Sequence, residues 1–129
     1  MKEVIEVPIK WLMVNEEYLT ATFYETNITL NKVSSSYFED AYKVLIGLDL
    51  NNKMVVIKNL NKAEALRGNI DKNQLMDIRI RPSYGRISSK KIMGEIQKAF
   101  NLNYNDHLKY KATWDLNEKI LKIDLKEVI

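Results

Sequence analysis

Apolar residues alternate with polar ones along most of this chain, and each alternating run ends in a turn signal. Ile5, Val7, Ile9, Trp11 and Met13 take every second position, a period that predicts a strand. Pro8 has no amide donor, which assigns that strand to a sheet edge. In residues 18–24, Leu19, Ala21 and Phe23 alternate with Tyr18, Thr20, Thr22 and Tyr24, giving a second strand rich in β-formers. Residues 28–30 predict a short third strand. Residues 43–49 and 53–58 then predict a hairpin around Asn51 and Asn52, and residues 108–125 predict another around Asp115, Leu116, Asn117 and Glu118. Arg79 and Arg81 alternate with Ile78 and Ile80, so a strand there sends both guanidinium groups to one face and the isoleucines to the other.

The period lengthens in two places. Ser88 or Ser89 can cap a helix whose apolar face is Ile92, Ile96, Ala99 and Phe100, after a turn at Tyr84, Gly85 and Arg86. Turn residues from Asn101 to Asp106 end it. Ser36 and Glu39 have capping-box spacing, which predicts a short helix over residues 37–42. Between these regions Ala63, Glu64, Ala65, Leu66 and Arg67 are helix-prone, but Gly68 and Asn69 stop them after about one turn.

Strand, helix, hairpin therefore occurs twice. Both hairpins turn on Asp-Leu-Asn-x-Lys, at residues 49–53 and 115–119, and each turn leads into an apolar strand. When the turns are aligned, Ile28 corresponds to Ile87 and Val33 to Ile92. The shared order predicts an internal duplication: residues 15–60 form a first repeat, 75–129 a second, 61–74 a linker, and 1–14 an extra N-terminal strand. One compact domain of 129 residues is expected.

The second repeat, through "GRISSKKI", "FNLNYNDHLKY" and "KILKIDLK", resembles the AbrB/SpoVT-type swapped-hairpin DNA-binding module. That module occurs in bacterial transition-state regulators, in MazE-type antitoxins and, duplicated, in MraZ proteins. Gly85, Arg86, Ile87, Asp106 and Leu108 carry the match residue by residue. The resemblance implies a mainly β fold, a β-barrel with short helices, in which two AbrB/MraZ-like strand-helix-hairpin repeats close around a pseudo-two-fold axis. It also implies that a single copy cannot bury its hairpin and that the two copies complete one another.

Charge sharpens the expectation of function. The net charge is only +3, but residues 1–64 hold 7 lysines and no arginine against 9 acids, and residues 65–129 hold 13 basic residues against 8 acids. All four arginines fall within residues 67–86, and from Arg79 to Lys98 six basic residues meet one acid, Glu95. Such a cluster is either a solvated face or the footprint of a polyanion. Lys90 and Lys91 stand in the first turn of a helix, where the helix end disfavours cations, so stability does not account for them. With Arg86 and free N–H groups they suit phosphate, and Arg79 and Arg81 can reach phosphates or base edges. Alternatively Arg81 and Arg86 pair with Asp77, Glu95 or carboxylates of the first repeat. That repeat has Asn27 where the second has Arg86, so DNA contacts are expected from one repeat per chain.

Other chemistries find little support. There is no cysteine, which excludes disulfides, thiol nucleophiles and Cys-based zinc sites. His107 is the single histidine and sits in a polar loop, and no phosphate-cradling glycine loop or nucleophile elbow occurs. No catalytic residue, metal or cofactor is expected. No apolar run reaches the ~18 residues of a membrane span, and the N-terminus lacks the layout of a secretory signal, so a cytoplasmic address is expected. Trp11, Trp114 and the tyrosines fall in strand patterns and are assigned to core and interfaces. The sequence thus points to a DNA-binding transcriptional regulator that grips duplex DNA through Arg79, Arg81, Arg86, Lys90 and Lys91 as a dimer or higher homo-oligomer. The alternative is a non-catalytic protein-interaction module on the same fold, antitoxin-like or an assembly subunit.

Overall fold

A computed structural model describes residues 8–12, 14 and 18–129. The fold is mainly β with short helices, as the alternation predicts. Eight strands form one antiparallel sheet: β1 (Leu19–Phe23), β2 (Asn27–Asn31), β3 (Lys43–Asp49), β4 (Met54–Leu60), β5 (Arg79–Ile80), β6 (Tyr84–Ser88), β7 (Lys109–Asp115) and β8 (Ile120–Val128). Their order across the sheet is β3-β4-β8-β7-β1-β2-β6-β5. The sheet curls until the segment ahead of β5 returns to the β3 edge, where Val44 and Met76 exchange both backbone hydrogen bonds at 2.9 and 3.0 Å. Lys43 clasps Asp77 beside that bridge.

Alternation decides which face is inside. Ala21, Phe23, Ile28, Leu30, Val44, Val55, Ile57, Ile87, Leu121 and Ile123 all point into the curl and are almost fully buried. Ile28 of β2 lies directly opposite Ile87 of β6. The curl is plugged by helix α3 (Lys90–Phe100) through Met93 and Ile96, with Ile92 and Phe100 half-buried beside them. Ala99, expected on that face, is exposed. Ser89 is the cap, its Oγ accepting the Ile92 N–H at 3.1 Å, and Asn101 ends the helix in the left-handed conformation. Tyr104 packs edge-on to Phe23 and donates its hydroxyl to the Met93 carbonyl at 2.6 Å. Its burial pushes the phenol up to about 12.

Both predicted hairpins form, and both turns use one chemistry. Asp49 Oδ1 accepts the Asn52 N–H, Asp115 Oδ1 accepts those of Asn117 and Glu118, and Lys53 and Lys119 close the turns at φ 54° and 55°. In the linker, α2 (Lys62–Leu66) begins with a reciprocal capping box between Asn61 and Glu64, and the turn ends at Gly68, φ 92°.

Two expectations fail for identifiable reasons. The helix expected over 37–42 forms earlier, as α1 (Lys32–Ser36), because the Asn31 side chain caps the Ser34 N–H at 3.0 Å. Ser36 Oγ donates instead to the Val33 carbonyl, and the Tyr37 carbonyl is taken by the buried Asn59 amide, so no helix propagates. The turn expected at Tyr84, Gly85 and Arg86 lies earlier, where the Arg81 N–H donates to the Tyr84 carbonyl at 2.8 Å across Pro82 and Ser83. Gly85 is inside β6, and glycine is required there by close approach: a Cβ would lie 2.9 Å from Ser35 Cβ of α1 and 3.2 Å from Ile80 Cδ1. The strand expected over residues 5–13 falls partly outside the described residues, and residues 8–12 carry no strand.

Two glycine substitutions should therefore act in opposite directions in urea denaturation. Gly85→Ala overpacks the seam between α1 and β6 and should cost about 1–3 kcal/mol. Gly94→Ala meets nothing within 4 Å in the middle of α3, and should stabilise by up to about 1 kcal/mol through helix propensity.

Acid should weaken the protein at its two hairpin turns and at the cap of α2. Asp49 (first by the Asn52 side chain), Glu64 (by the Asn61 N–H), Asp115 (by the Glu118 N–H) and Asp124 (by Lys126) are all held below their ordinary values of 3.8 for Asp and 4.5 for Glu. A carboxylate with a depressed folded pKa stabilises above its unfolded pKa, and that stability is lost as pH falls through the folded value. Thermal midpoints should hold from neutrality to about pH 5 and then decline modestly below about pH 4.

Candidate functional site

The basic residues singled out by the sequence are all exposed, but the fold does not gather them into one patch. Arg79 of β5 lies directly opposite Arg86 of β6, and the ladder continues from Arg86 to Thr29 of β2, Thr22 of β1 and Lys109 of β7. This row of cross-strand neighbours runs over the outer face of five strands, since the positions between its members on each strand point inward. Asn27 and Ser88 form a neighbouring pair, and Thr20 and Lys111 another. The five strands carry one carboxylate, Asp115, at the far end of β7.

The arginine pair lies at the β5 end of this face. Asp77, Ile78, Arg79, Arg86 and Ser88 line a shallow depression of about 450 Å³. Asp77 is engaged by Lys43, and among the described residues no carboxylate pairs with Arg79, Arg81 or Arg86. Among the described residues, the alternative that Arg81 and Arg86 pair with Asp77, Glu95 or carboxylates of the first repeat is not met, and Glu16 and Glu17 of that repeat lie outside the described residues. Arg86 instead lies over the Tyr84 ring, 4.9 Å from its centroid. Like charges directly opposite on a ladder destabilise it, so the pair weakens the sheet it belongs to.

The other three residues are placed apart. Arg81 follows β5 in the turn and does not line the depression. Lys90 and Lys91 are neighbours in sequence but diverge by about 100° around α3. Lys90 faces a small cleft with Glu25, Gln97 and Tyr104, and Lys91 faces a separate groove beside β3 and β4. Register adds what adjacency along the chain lacks: Thr22, Thr29, Lys109 and Lys111 join the arginine face, and only the strand order reveals it. Tyr84 is legible in principle, since i and i+2 share a face on a strand.

Among the described residues no group of three or more His, Cys, Asp or Glu side chains is placed to hold a metal ion. His107 caps a 3-10 turn at φ 45° with its ring 4.8 Å from that of Tyr24. Trp114 stacks on Tyr37 at 4.6 Å and its buried Nε1 has no acceptor among the described residues. Among the described residues no helix is long and apolar enough to cross a membrane. No protein-family model matches the chain, and no curated protein or solved structure matches it either.

If the arginine pair is retained for a ligand and not for stability, replacing one member should not weaken the fold. Arg79→Thr should leave the urea midpoint unchanged or raise it, whereas Ile80→Thr, which removes apolar contact beside Gly85 on the inner face, should lower it.

Proposed function

We propose that this protein is a cytoplasmic DNA-binding regulator of AbrB/MraZ-like type, without catalytic activity, that contacts duplex DNA through the outer face around β5 and β6. The observation that carries the reading is the opposed pair Arg79 and Arg86, exposed, without a carboxylate partner among the described residues, in a depression that also presents Ser88. Two arginines on directly opposed ladder positions that line one depression can reach phosphate oxygens or a guanine edge, and the neighbouring threonines add neutral hydroxyl donors. Arg81, at the turn, and Lys90, at the capped end of α3, would extend the contact along the backbone. Lys91 contributes through the general field, because it faces the groove beside β3.

Two strand-helix-hairpin repeats remain part of this reading. Supporting it, β2, α1, β3 and β4 are followed by β6, α3, β7 and β8 in the same order. Exchanging the halves, and counting the Val44 to Met76 bridge as the join between β5 and β3, leaves the cyclic strand order unchanged. Ile28 and Ile87, equivalent under the alignment, are cross-strand partners, and so are Val56 and Lys122. The two Asp-Leu-Asn-x-Lys turns both end on a lysine at positive φ. A duplicated module with one basic copy presents one DNA face per chain, so a two-sided grip needs a homo-oligomer.

Fluorescence anisotropy with random-sequence duplex across a salt series tests this. Affinity should fall with a log-log slope of about −0.9 per phosphate neutralised, roughly −5 to −9 for a dimer using three to five cations per chain. Arg79→Ala with Arg86→Ala should flatten the slope by about two per chain while the circular dichroism stays that of the parent. A parent that ignores duplex at low salt, or a double variant that binds equally well, would transfer the arginine face to an acidic protein partner.

A further inference from the structure

The β3 edge is half used. Alternation along the β3 to β4 ladder directs the N–H and C=O groups of Val44, Ile46 and Leu48 away from β4. Val44 gives its pair to Met76, and the chain before Met76 then leaves the edge as the 3-10 turn Lys72–Gln74. Among the described residues nothing bonds to the backbone of Ile46 or Leu48 on that side. Beside this open edge lies a groove of about 590 Å³ whose apolar lining includes Leu45, Ile46, Val56, Met76, Ile92 and Ile120. An unpaired edge next to an apolar groove is a site for strand addition.

The same chain carries a segment with no place in its own sheet. Ile9, Trp11 and Leu12 are 70%, 80% and 84% exposed. The segment precedes β1, which stands four strands from β3 in either direction around the curl, about 19 Å along the sheet at normal strand spacing. Among the described residues, the edge and the segment are both unsatisfied within one chain.

We infer that residues 8–12 of a second copy add to the β3 edge as an antiparallel strand, so that two chains exchange N-terminal strands. Pro8 fixes the parity. Lacking an N–H, it must face away from the edge, which turns the backbone groups of Ile9 and Trp11 towards it. The bridge at Met76 blocks Val44 and sets the register: Trp11 opposite Ile46, Ile9 opposite Leu48, Leu12 opposite Leu45 and Lys10 opposite Gly47, where there is no side chain to meet. Residues opposite one another share a face, so Ile9 and Trp11 fall on the face of Ile46 and Leu48, and Leu48, 39% exposed, is covered. Three apolar pairs thus follow from a parity set by a proline and a register set by a backbone bridge. Reciprocal exchange makes the contact a closed two-fold dimer. It is independent of the DNA reading and uses none of the arginines.

Light scattering of the full chain tests it together with cross-linking, which the cysteine-free sequence makes clean. The parent should have twice the chain mass. Ile9→Ser with Trp11→Ser, both exposed in the single chain, and separately Leu48→Pro at the unused edge N–H, should each halve it while the circular dichroism stays that of the parent. Mixed single variants Ile9→Cys and Leu48→Cys should form, on oxidation, a disulfide linking positions 9 and 48 of different chains, since a hydrogen-bonded pair has Cα atoms about 5.5 Å apart, within disulfide reach. A parent that is monomeric at its highest soluble concentration overturns the proposal. So does parental mass in both variants, or, when Ile9→Cys and Leu48→Cys are placed on the same chain, a disulfide found only within that chain.

Discussion

The pairing of β2 with β6 is the contact on which the rest of this structure depends. Ile28 and Ile87 face one another on that ladder with almost no exposed surface, and five consecutive register pairs join the first half of the chain to the second. Because β6 is held there, β5 can add to its far side, α3 starts from a fixed point just beyond its end, and the Val44 to Met76 bridge falls within reach. Gly85 belongs to the same contact: opposite Leu30, it leaves the space in which Ser35 of α1 rests against the sheet. A change that shifts β6 by one residue would send Ile87 outward and Arg86 into the core. The arginine face and the hydrophobic core are two sides of one register.

This coupling separates what the sequence reveals from what it hides. Hairpins at 49–53 and 115–119 are legible because Asp-Leu-Asn-x-Lys solves its turn locally, with an aspartate accepting backbone N–H groups and a lysine at positive φ. The cap of α3 is legible for the same reason. The first helix is not, because Asn31 and Ser36 are both acceptable caps, and the choice is made from β4 by an Asn59 amide that occupies the Tyr37 carbonyl. Glycine in isolation signals positive φ and so suggests a turn at Gly85, whereas this glycine answers to a neighbour's Cβ. Long-range contacts, not propensities, decide such positions.

The candidate site divides along the same line. Parity places Arg79 on a charged face, but which residue it meets is a question of strand pairing, and Arg86 is its partner only because β5 folds back across Pro82. Lys90 and Lys91, adjacent in the sequence, are parted by helical geometry into different clefts. Thr22, Thr29 and Lys109, all distant from the arginines along the chain, are brought into their row by the β1 to β2, β2 to β6 and β1 to β7 pairings. Charge density along a sequence therefore identifies the strand that carries a basic site better than it identifies the site's members.

An opposed arginine pair costs stability wherever it is not neutralised, and this chain has carboxylates that could have done so: Asp77 adjoins the pair and Glu95 lies on the helix that follows β6. The fold commits Asp77 to Lys43, at the bridge that closes the curl, and gives Glu95 to the groove beside β3. The carboxylate that lines the arginine depression is thus engaged by a lysine of β3 and not by either arginine. The backbone bridge between Val44 and Met76 closes the sheet, and beside it Lys43 engages Asp77, the carboxylate that lines the arginine depression. If the proposed function holds, a polyanion arriving at this face meets two exposed arginines, Arg79 and Arg86, in a depression whose one carboxylate is already engaged by Lys43.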